Sequence, residues 1–269
     1  NLDTPLDLPA DTDLRQIAEN LNHIQAGLQQ ALADQTRSER MKVELITNVS
    51  HDLKTPLTSI ISYTELLQQE EGLPDHVQDY IRVLSDKSKR LQVMVRDVFE
   101  VSKAASGQLP VSLKRLDLAR LLRQTLADMD QPIQESGLQL RTQLPDHSVL
   151  IQGDSDRLYR VFQNLLGNAL KYSLAGSRVY LTLTVEEGQA VAALRNSSAA
   201  ELRPGLDYTQ RFVRGDESRT DGGSGLGLSI ARSLTQLQHG TFTLGVDGDL
   251  FKVTLAFPLA APDSDTETA

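Results

Sequence analysis

The 269-residue chain has no cysteine. That absence removes disulfide frameworks, thiolate metal sites and cysteine nucleophiles, and it is compatible with a reducing compartment. No run approaches the ~18 apolar residues of a membrane-spanning helix. The opening stretch NLDTPLDLPADTD has neither the basic nor the apolar region of a signal peptide. The sequence therefore reads as soluble, and because it opens without Met the expectation is a piece cut from a larger protein. A basic excess is lacking as well. With 27 Lys and Arg against 36 Asp and Glu, the formal net charge is -9 and the pI about 5.1. Such a balance argues against direct nucleic-acid binding, which rests on clustered cations neutralising phosphates. What is present, 39% apolar and 23% charged residues, is the composition of a globular protein able to bury a core.

Residues 13–33 place Ile17, Leu21, Ile24, Leu28 and Ala31 at alternating spacings of four and three, the rhythm of a coiled-coil seam. One narrow stripe calls for one partner helix, in another chain or in the same domain. A second periodic block over 44–68 carries Ile46, Val49, Leu53, Leu57, Ile60, Thr64 and Leu67. After the loop EEGLPD a third carries Val77, Ile81, Leu84, Ser88, Leu91, Val95 and Val98. Together these predict a helical hairpin. Two helices with one apolar stripe each cannot enclose a core alone, so two chains joining as a four-helix bundle is the economical solution and a homodimer the expectation.

From about Ser106 the texture changes. SGQLP reads as a linker, and beyond it short alternating runs (LQLRTQL, SVLIQG, RVYLTLTV, AVAAL, TFTLGV, FKVTLAF) interleave with helical stretches near 117–135, 155–172 and 224–238. Strands in hairpins with segregated helices predict an α+β two-layer sandwich, so the whole chain reads as an α+β multidomain protein. The acidic tail APDSDTETA has the composition of disorder.

Three stretches carry chemistry. In NVSHDLKTP, each helical residue advances about 100°, so His51 lies about 200° from Val49 and Leu53, opposite the apolar stripe. Thr55 returns to the same face, Asp52 lies beside it, and Pro56 distorts the helix. This stretch alone fits a reactive histidine or a merely solvated one. In GDSDRLYRVFQNLLGNALKYS, Asn164, Asn168 and Lys171 form a polar stripe opposite Leu158, Phe162, Leu165 and Ala169. Asparagine carbonyls suit Mg²⁺, a hard cation that bridges phosphates, and lysine adds positive charge. In DGGSGLGLSIARSLTQLQHG, Gly222, Gly223, Gly225 and Gly227 lead into an apolar-periodic helix, a pattern that fits a phosphate lid as well as a flexible linker. It is neither a Walker loop nor a dinucleotide fingerprint.

In order and spacing, NVSHDLKTPLTSI, NLLGNALKY, RFVRGDESR and GGSGLGLSIARSL resemble the phospho-acceptor, N, F and G2 boxes of the sensor histidine kinases of bacterial two-component systems. The resemblance covers nearly the whole chain. It implies that residues 1–37 end a HAMP-like signalling linker helix and that 38–107 form the dimerisation and histidine phosphotransfer domain. Residues 108–262 would form a GHKL-type ATP-binding domain, leaving 263–269 as the acidic tail. His51 is then the phosphorylated residue, Asp52 the base that orients its imidazole, and Thr55 the residue that positions water when the kinase acts as a phosphatase. Asn168 becomes the principal Mg²⁺ ligand with Asn164 beside it, Lys171 meets phosphate and Tyr172 lies against the nucleotide. Arg214, Gly223, Gly225, Leu226 and Gly227 complete the nucleotide site. The implied substrate is ATP, and the implied partners are a second copy and a response regulator. The implied setting is the cytoplasmic portion of a membrane-embedded bacterial receptor.

One stretch departs from the family. Where it carries D-x-G-x-G, whose aspartate receives the adenine amino group, this chain reads RNSSAAELRPG, with Asn196 in the aspartate's place and Ser198 and Ala200 in the glycines'. The Asn196 carboxamide oxygen can accept the same bond without the strength of a charged acceptor, which bears on ATP affinity. A degenerate dimeric scaffold is the rival reading that this departure supports. An ATPase or chaperone with the same sandwich is disfavoured by the histidine-bearing hairpin.

Overall fold

The computed structural model describes residues 12–105, 108–203, 205–209 and 225–261, with side chains left out at 12–19, 32–48, 50, 51 and 105. Helix α1 (Thr12–Gln69) and helix α2 (Asp75–Ala105) form the expected hairpin, turning at Gly72, whose φ of 82° suits a residue without Cβ. Leu57, Ile61 and Thr64 of α1 are buried with Ile81, Ser85 and Ser88 of α2. An exposed ion pair, Lys89 to Glu65 at 3.2 Å, also links the two helices. The linker helix and the first hairpin helix are one element: α1 runs unbroken past residue 37 and on through Pro56. The intervening ADQTRSERMKVE holds neither Gly nor Pro, so nothing stops the helix there.

The second unit opens with β1 (Lys114–Asp117), α3 (Leu118–Asp128), α4 (Asp130–Glu135), β2 (Gln139–Gln143) and β3 (Leu150–Gly153). It continues with α5 (Ser155–Tyr172), β4 (Arg178–Glu186), β5 (Gln189–Ser197), α6 (Gly227–Leu237), β6 (Thr241–Asp247) and β7 (Leu250–Pro258). The main sheet has the order β2-β4-β5-β7-β6, parallel at β2–β4 and antiparallel elsewhere, while β1 and β3 make a separate antiparallel pair. Strand alternation decides which face is covered: β5 buries Ala190, Ala192, Leu194 and Asn196 and half-exposes the residues between. Ala190, Ala192 and Leu194, with Val253, Leu255 and Phe257 of β7, share one core with Leu158, Phe162 and Leu166 of α5 and Ile230 and Leu234 of α6. At about 1.5–3 kcal/mol for each large side chain removed from water, this layer holds the sandwich together.

Three local expectations need correction. The stretch near 117–135 is two helices, because Pro132 brings no N–H and would crowd the carbonyl of residue 128; α4 therefore restarts after Met129 with the proline in its first turn. Strand β1 was not expected, since KRLD offers one apolar residue and forms only against β3. SGQLP is not a free linker throughout: the Gln108 and Leu109 amides donate to the Lys103 carbonyl, and Leu109 is buried in the core. Residues 1–11, 106–107 and 262–269, which include the expected tail, lie outside the described residues.

Candidate nucleotide-binding and phospho-acceptor site

Helix α5 is fixed at both ends before it presents anything. Asp154 caps it, accepting from the amides of Asp156 and Arg157 at 3.2 Å each, while its other carboxylate oxygen accepts from the Ser112 amide at 2.9 Å. The Asp154 amide in turn donates to Oε1 of Gln238, a buried side chain at the end of α6. At the far end, the Leu174 amide donates to the Ser197 carbonyl and the Ala199 amide to the Tyr172 carbonyl, both at 2.9 Å. That second clamp ties the end of α5 to the end of β5. The buried face of α5 is the expected one, Leu158, Phe162, Leu165 and Ala169, which turns Asn164 and Asn168 to the opposite, half-buried side.

There the two asparagines meet the start of α6. A Cβ added at Gly227 would lie 3.3 Å from Asn168 Nδ2 and 3.5 Å from Asn164 Oδ1 and Asn168 Oδ1. Gly225, just before, has φ 67°, a left-handed conformation that glycine adopts without strain. Leu226 is buried and anchors this turn in the core. The Asn164 Nδ2 is buried and has no hydrogen-bond partner among the described residues. An orphaned amide donor beside carboxamide oxygens, in a gap that exists because position 227 has no side chain, fits a phosphate oxygen and its cation: the donor for the anion, the carbonyls for Mg²⁺. Among the described residues no cluster of three or more His, Asp or Glu could hold a metal ion. Lys171 is exposed, with its ammonium 5.3 Å from the centre of the Tyr172 ring.

Asn196 is buried near the end of β5, between Val179 of β4 and Phe251 of β7. Beyond it, the Ser198 hydroxyl accepts from the Ala200 amide at 3.3 Å, a local turn bond. Arg232 of α6 donates to the Thr209 hydroxyl at 2.6 Å and lies 3.7 Å from Asp207. The Thr209 hydroxyl and amide both donate to Asp207, holding its carboxyl below the usual range. Sequence reasoning missed this anchor. Of the sequence-predicted nucleotide residues, Arg214 and Gly223, with the rest of RFVRGDESR, lie outside the described residues.

On the hairpin, His51 is helical in α1, and its side chain lies outside the described residues. Asp52 and Thr55 are exposed. Thr55 opens onto a groove along α1 with Ser59, Ser62, Tyr63 and Leu66. The two units also touch through charges that sequence reasoning missed. Arg160 of α5 bonds Asp97 of α2 at 2.7 Å and also Glu100, and Arg157 lies 3.7 Å from Glu100. Burial pushes the Asp97 carboxyl up, outweighing the guanidinium beside it. The sequence offered no signal for this contact, since Asp97 and Glu100 fall between the stripe positions Val95, Val98 and Val101, where acids are ordinary.

Comparison with known proteins decides the family. Residues 41–107 match the His Kinase A (phospho-acceptor) domain, and residues 153–261 match the Histidine kinase-, DNA gyrase B-, and HSP90-like ATPase family. Sensor histidine kinase YcbM of Bacillus subtilis (strain 168) is 30% identical over 243 residues, covering 88% of this chain and 78% of its own. The chain belongs to the sensor histidine kinase family. This kinase is also 29% identical to the sensor protein VanS of Enterococcus faecium, over 89% of the chain but only 62% of that protein. Among solved structures, full-length ShkA in complex with AMPPNP superposes with a TM-score of 0.67 at 25% identity, covering 82% of this chain and 47% of that one. The kinase is thus an ATP-binding protein-histidine kinase of two-component signalling, with the helical hairpin and mixed sandwich that its motifs imply. No helix among the described residues is long and apolar enough to cross a membrane.

Proposed function

We propose that ATP bound along the Asn164–Asn168 stripe donates its γ-phosphoryl group to His51, and that the phosphoryl group then passes to an aspartate of a response regulator. The observation that carries this reading is the orphaned Asn164 amide and paired carboxamides facing the side-chain-free Gly227, in a chain that also carries His51 on an exposed hairpin. A neutral imidazole, with an ordinary pKa near ~6.5, has a ring lone pair to attack phosphorus. The N–P bond forms as the bond to the ADP oxygen breaks, and the imidazole proton leaves to Asp52 or to water. Asn168, with Asn164, would hold Mg²⁺, which supplies charge neutralisation at the phosphates. Lys171 would meet phosphate, and Tyr172, Gly225, Leu226, Arg214 and Gly223 would line the nucleotide.

Two chains of the kinase would join through the exposed faces of the hairpin, and the groove beside Thr55 would receive the regulator. Thr55 would position water for the opposing activity, dephosphorylation of the regulator. The motif resemblance implies that this would be the cytoplasmic portion of a membrane-attached parent, and the chain spans only 62% of the length of VanS.

Incubation with γ-labelled ATP and Mg²⁺ tests the reading. The native chain should acquire acid-labile, base-stable label and His51→Gln none. Absence of label in the native chain would remove the autokinase, and if ATP binding were absent too, the degenerate scaffold suggested by Asn196, Ser198 and Ala200 would replace it. Thr55→Ala should lower regulator dephosphorylation while leaving His51 labelling intact.

A further inference from the structure

The polar side chains most deeply buried in the ATP-binding unit are paired, with one exception among the described residues. The hydroxyls of Thr125, Ser173, Ser229 and Thr235 donate to carbonyls three or four residues earlier. Thr209 is held between Asp207 and Arg232, and Gln238 bonds the Asp154 amide and the Leu234 carbonyl. Asn196 is only 5% exposed, yet its carboxamide has no hydrogen-bond partner among the described residues. A buried amide left so is costly, and in a native structure it calls for a partner. That partner must offer a donor and an acceptor side by side, because a carboxamide has both.

The surroundings narrow the choice. Asn196 faces the side of the sheet that the helices cover, in register with Val179 of β4 and Phe251 of β7. Leu140 of β2 and Val246 of β6 extend the same row, so one amide stands in an otherwise apolar line across five strands. Just beyond it, the Ser197 carbonyl and the Ala199 amide hold the end of α5 at Leu174 and Tyr172. Asn196 therefore lies beside the last turn of α5, one turn past Asn168. A nucleotide whose phosphates occupy the asparagine gap at Gly227 carries its base on the far side of the sugar. An apolar floor with a single amide suits a purine, which has apolar faces and a hydrogen-bonding edge.

The amide is not equivalent to the aspartate that the family resemblance expects. Adenine presents a 6-amino donor beside the N1 acceptor, whereas guanine and hypoxanthine present a 6-oxo acceptor beside an N1–H donor. A carboxamide meets the first edge with Oδ1 toward the amino group and Nδ2 toward N1, and the second after a half-turn of its end. No bond among the described residues fixes which way that end points. A carboxylate only accepts, so it suits the 6-amino group and meets a 6-oxo group lone pair to lone pair.

We infer that Asn196 is a specificity-determining residue that reads either purine edge, and that the kinase takes the 6-oxopurine triphosphates GTP and ITP as phosphoryl donors alongside ATP. This rests on the proposed placement of the nucleotide along the asparagine stripe and goes beyond it in naming the substrate class. The transfer itself is the same: the N–P bond to His51 forms, the bond to the nucleoside diphosphate oxygen breaks, and the imidazole proton leaves to Asp52 or to water.

The test measures kcat/KM for His51 labelling from γ-labelled ATP, GTP and ITP with Mg²⁺, and the displacement of a bound fluorescent ATP analogue by ADP, GDP and IDP. Native chain and Asn196→Asp are compared. ITP lacks the 2-amino group of guanine and isolates position 6. In the native chain GTP and ITP should serve within about tenfold of ATP, and in Asn196→Asp the ITP to ATP ratio should fall about 100-fold or more, as for a mismatched hydrogen-bonding edge. Each ratio is taken within one protein, so partial loss of folding cancels from it. A stronger preference of the native chain for ATP overturns the inference, as does a native ratio in Asn196→Asp. If no nucleotide labels His51 but ADP and IDP displace the analogue almost equally, the acceptor reading fails and the reading of Asn196 stands. If no nucleotide binds at all, both fall.

Discussion

At Gly227 the absence of one methyl group keeps the candidate phosphate site open. The neighbours of an added Cβ, at 3.3–3.5 Å, are the ends of the Asn164 and Asn168 side chains rather than backbone, so they can turn aside. Gly227→Ala should therefore leave thermal stability nearly unchanged, since residue 227 opens α6 and the helix-interior preference for alanine of about 0.5–1 kcal/mol applies there only in part. Affinity for a fluorescent ATP analogue should fall about tenfold, equivalent to ~1.4 kcal/mol. Equal affinity in the two proteins would show that the asparagine gap is not where phosphate sits. The asparagines were legible in the sequence because a poor helix former repeated at i and i+4 opposite an apolar face needs a reason. Arg160 was not legible: its partners lie about sixty residues earlier in the chain, and no local period marks a pair made only when two units meet.

At the scale of elements, the entry into α3 depends on one carboxylate. Asp117 ends β1, and its Oδ1 accepts from the amides of Ala119 at 3.0 Å, Arg120 at 3.3 Å and Val149 at 3.1 Å, so strand, helix and the approach to β3 share an anchor. Burial pushes the Asp117 pKa up, but the hydrogen bonds from Val149, Ser148, Arg120 and Ala119 together prevail and hold it below its ordinary value. A folded pKa below the unfolded one means stability fully present above the unfolded value and lost as pH falls through the folded one. Asp117→Ala should cost about 1–2 kcal/mol in urea unfolding at pH 7. Its stability should also fall less steeply than the native protein's as pH drops below about 4. Parallel pH profiles would remove the carboxylate from this role. The hairpin, α5, α6 and the long strands announced themselves by period, whereas β1 and the break at Met129 did not. A four-residue strand carries too little pattern, and the break follows from where Pro132 falls relative to the turn before it.

For the whole molecule, the hairpin leaves a second seam uncovered. Leu53, Ile60 and Leu67 recur every seven residues on α1 and are 45%, 46% and 44% exposed, and Leu84 and Leu91 on α2 are 55% and 46% exposed. Meanwhile Leu57, Ile61, Thr64 and Ile81 satisfy the contact between the two helices. The stripe read from the sequence was thus two seams merged, one within the hairpin and one facing outward, which a simple three-four spacing cannot separate. A heptad row of large aliphatic side chains left in water is the surface that a second hairpin covers in a four-helix bundle. Ile60→Glu with Leu84→Glu should therefore halve the mass measured by sedimentation equilibrium. The ATP-binding unit should keep its own unfolding transition, because its core, built on Leu158, Phe162, Leu181 and Leu255, contains neither residue. An unchanged mass would place the dimer contact elsewhere. If the monomer forms and still labels its own His51, transfer runs within one chain; if labelling vanishes while ATP binding persists, the acceptor and the nucleotide belong to different chains of the dimer.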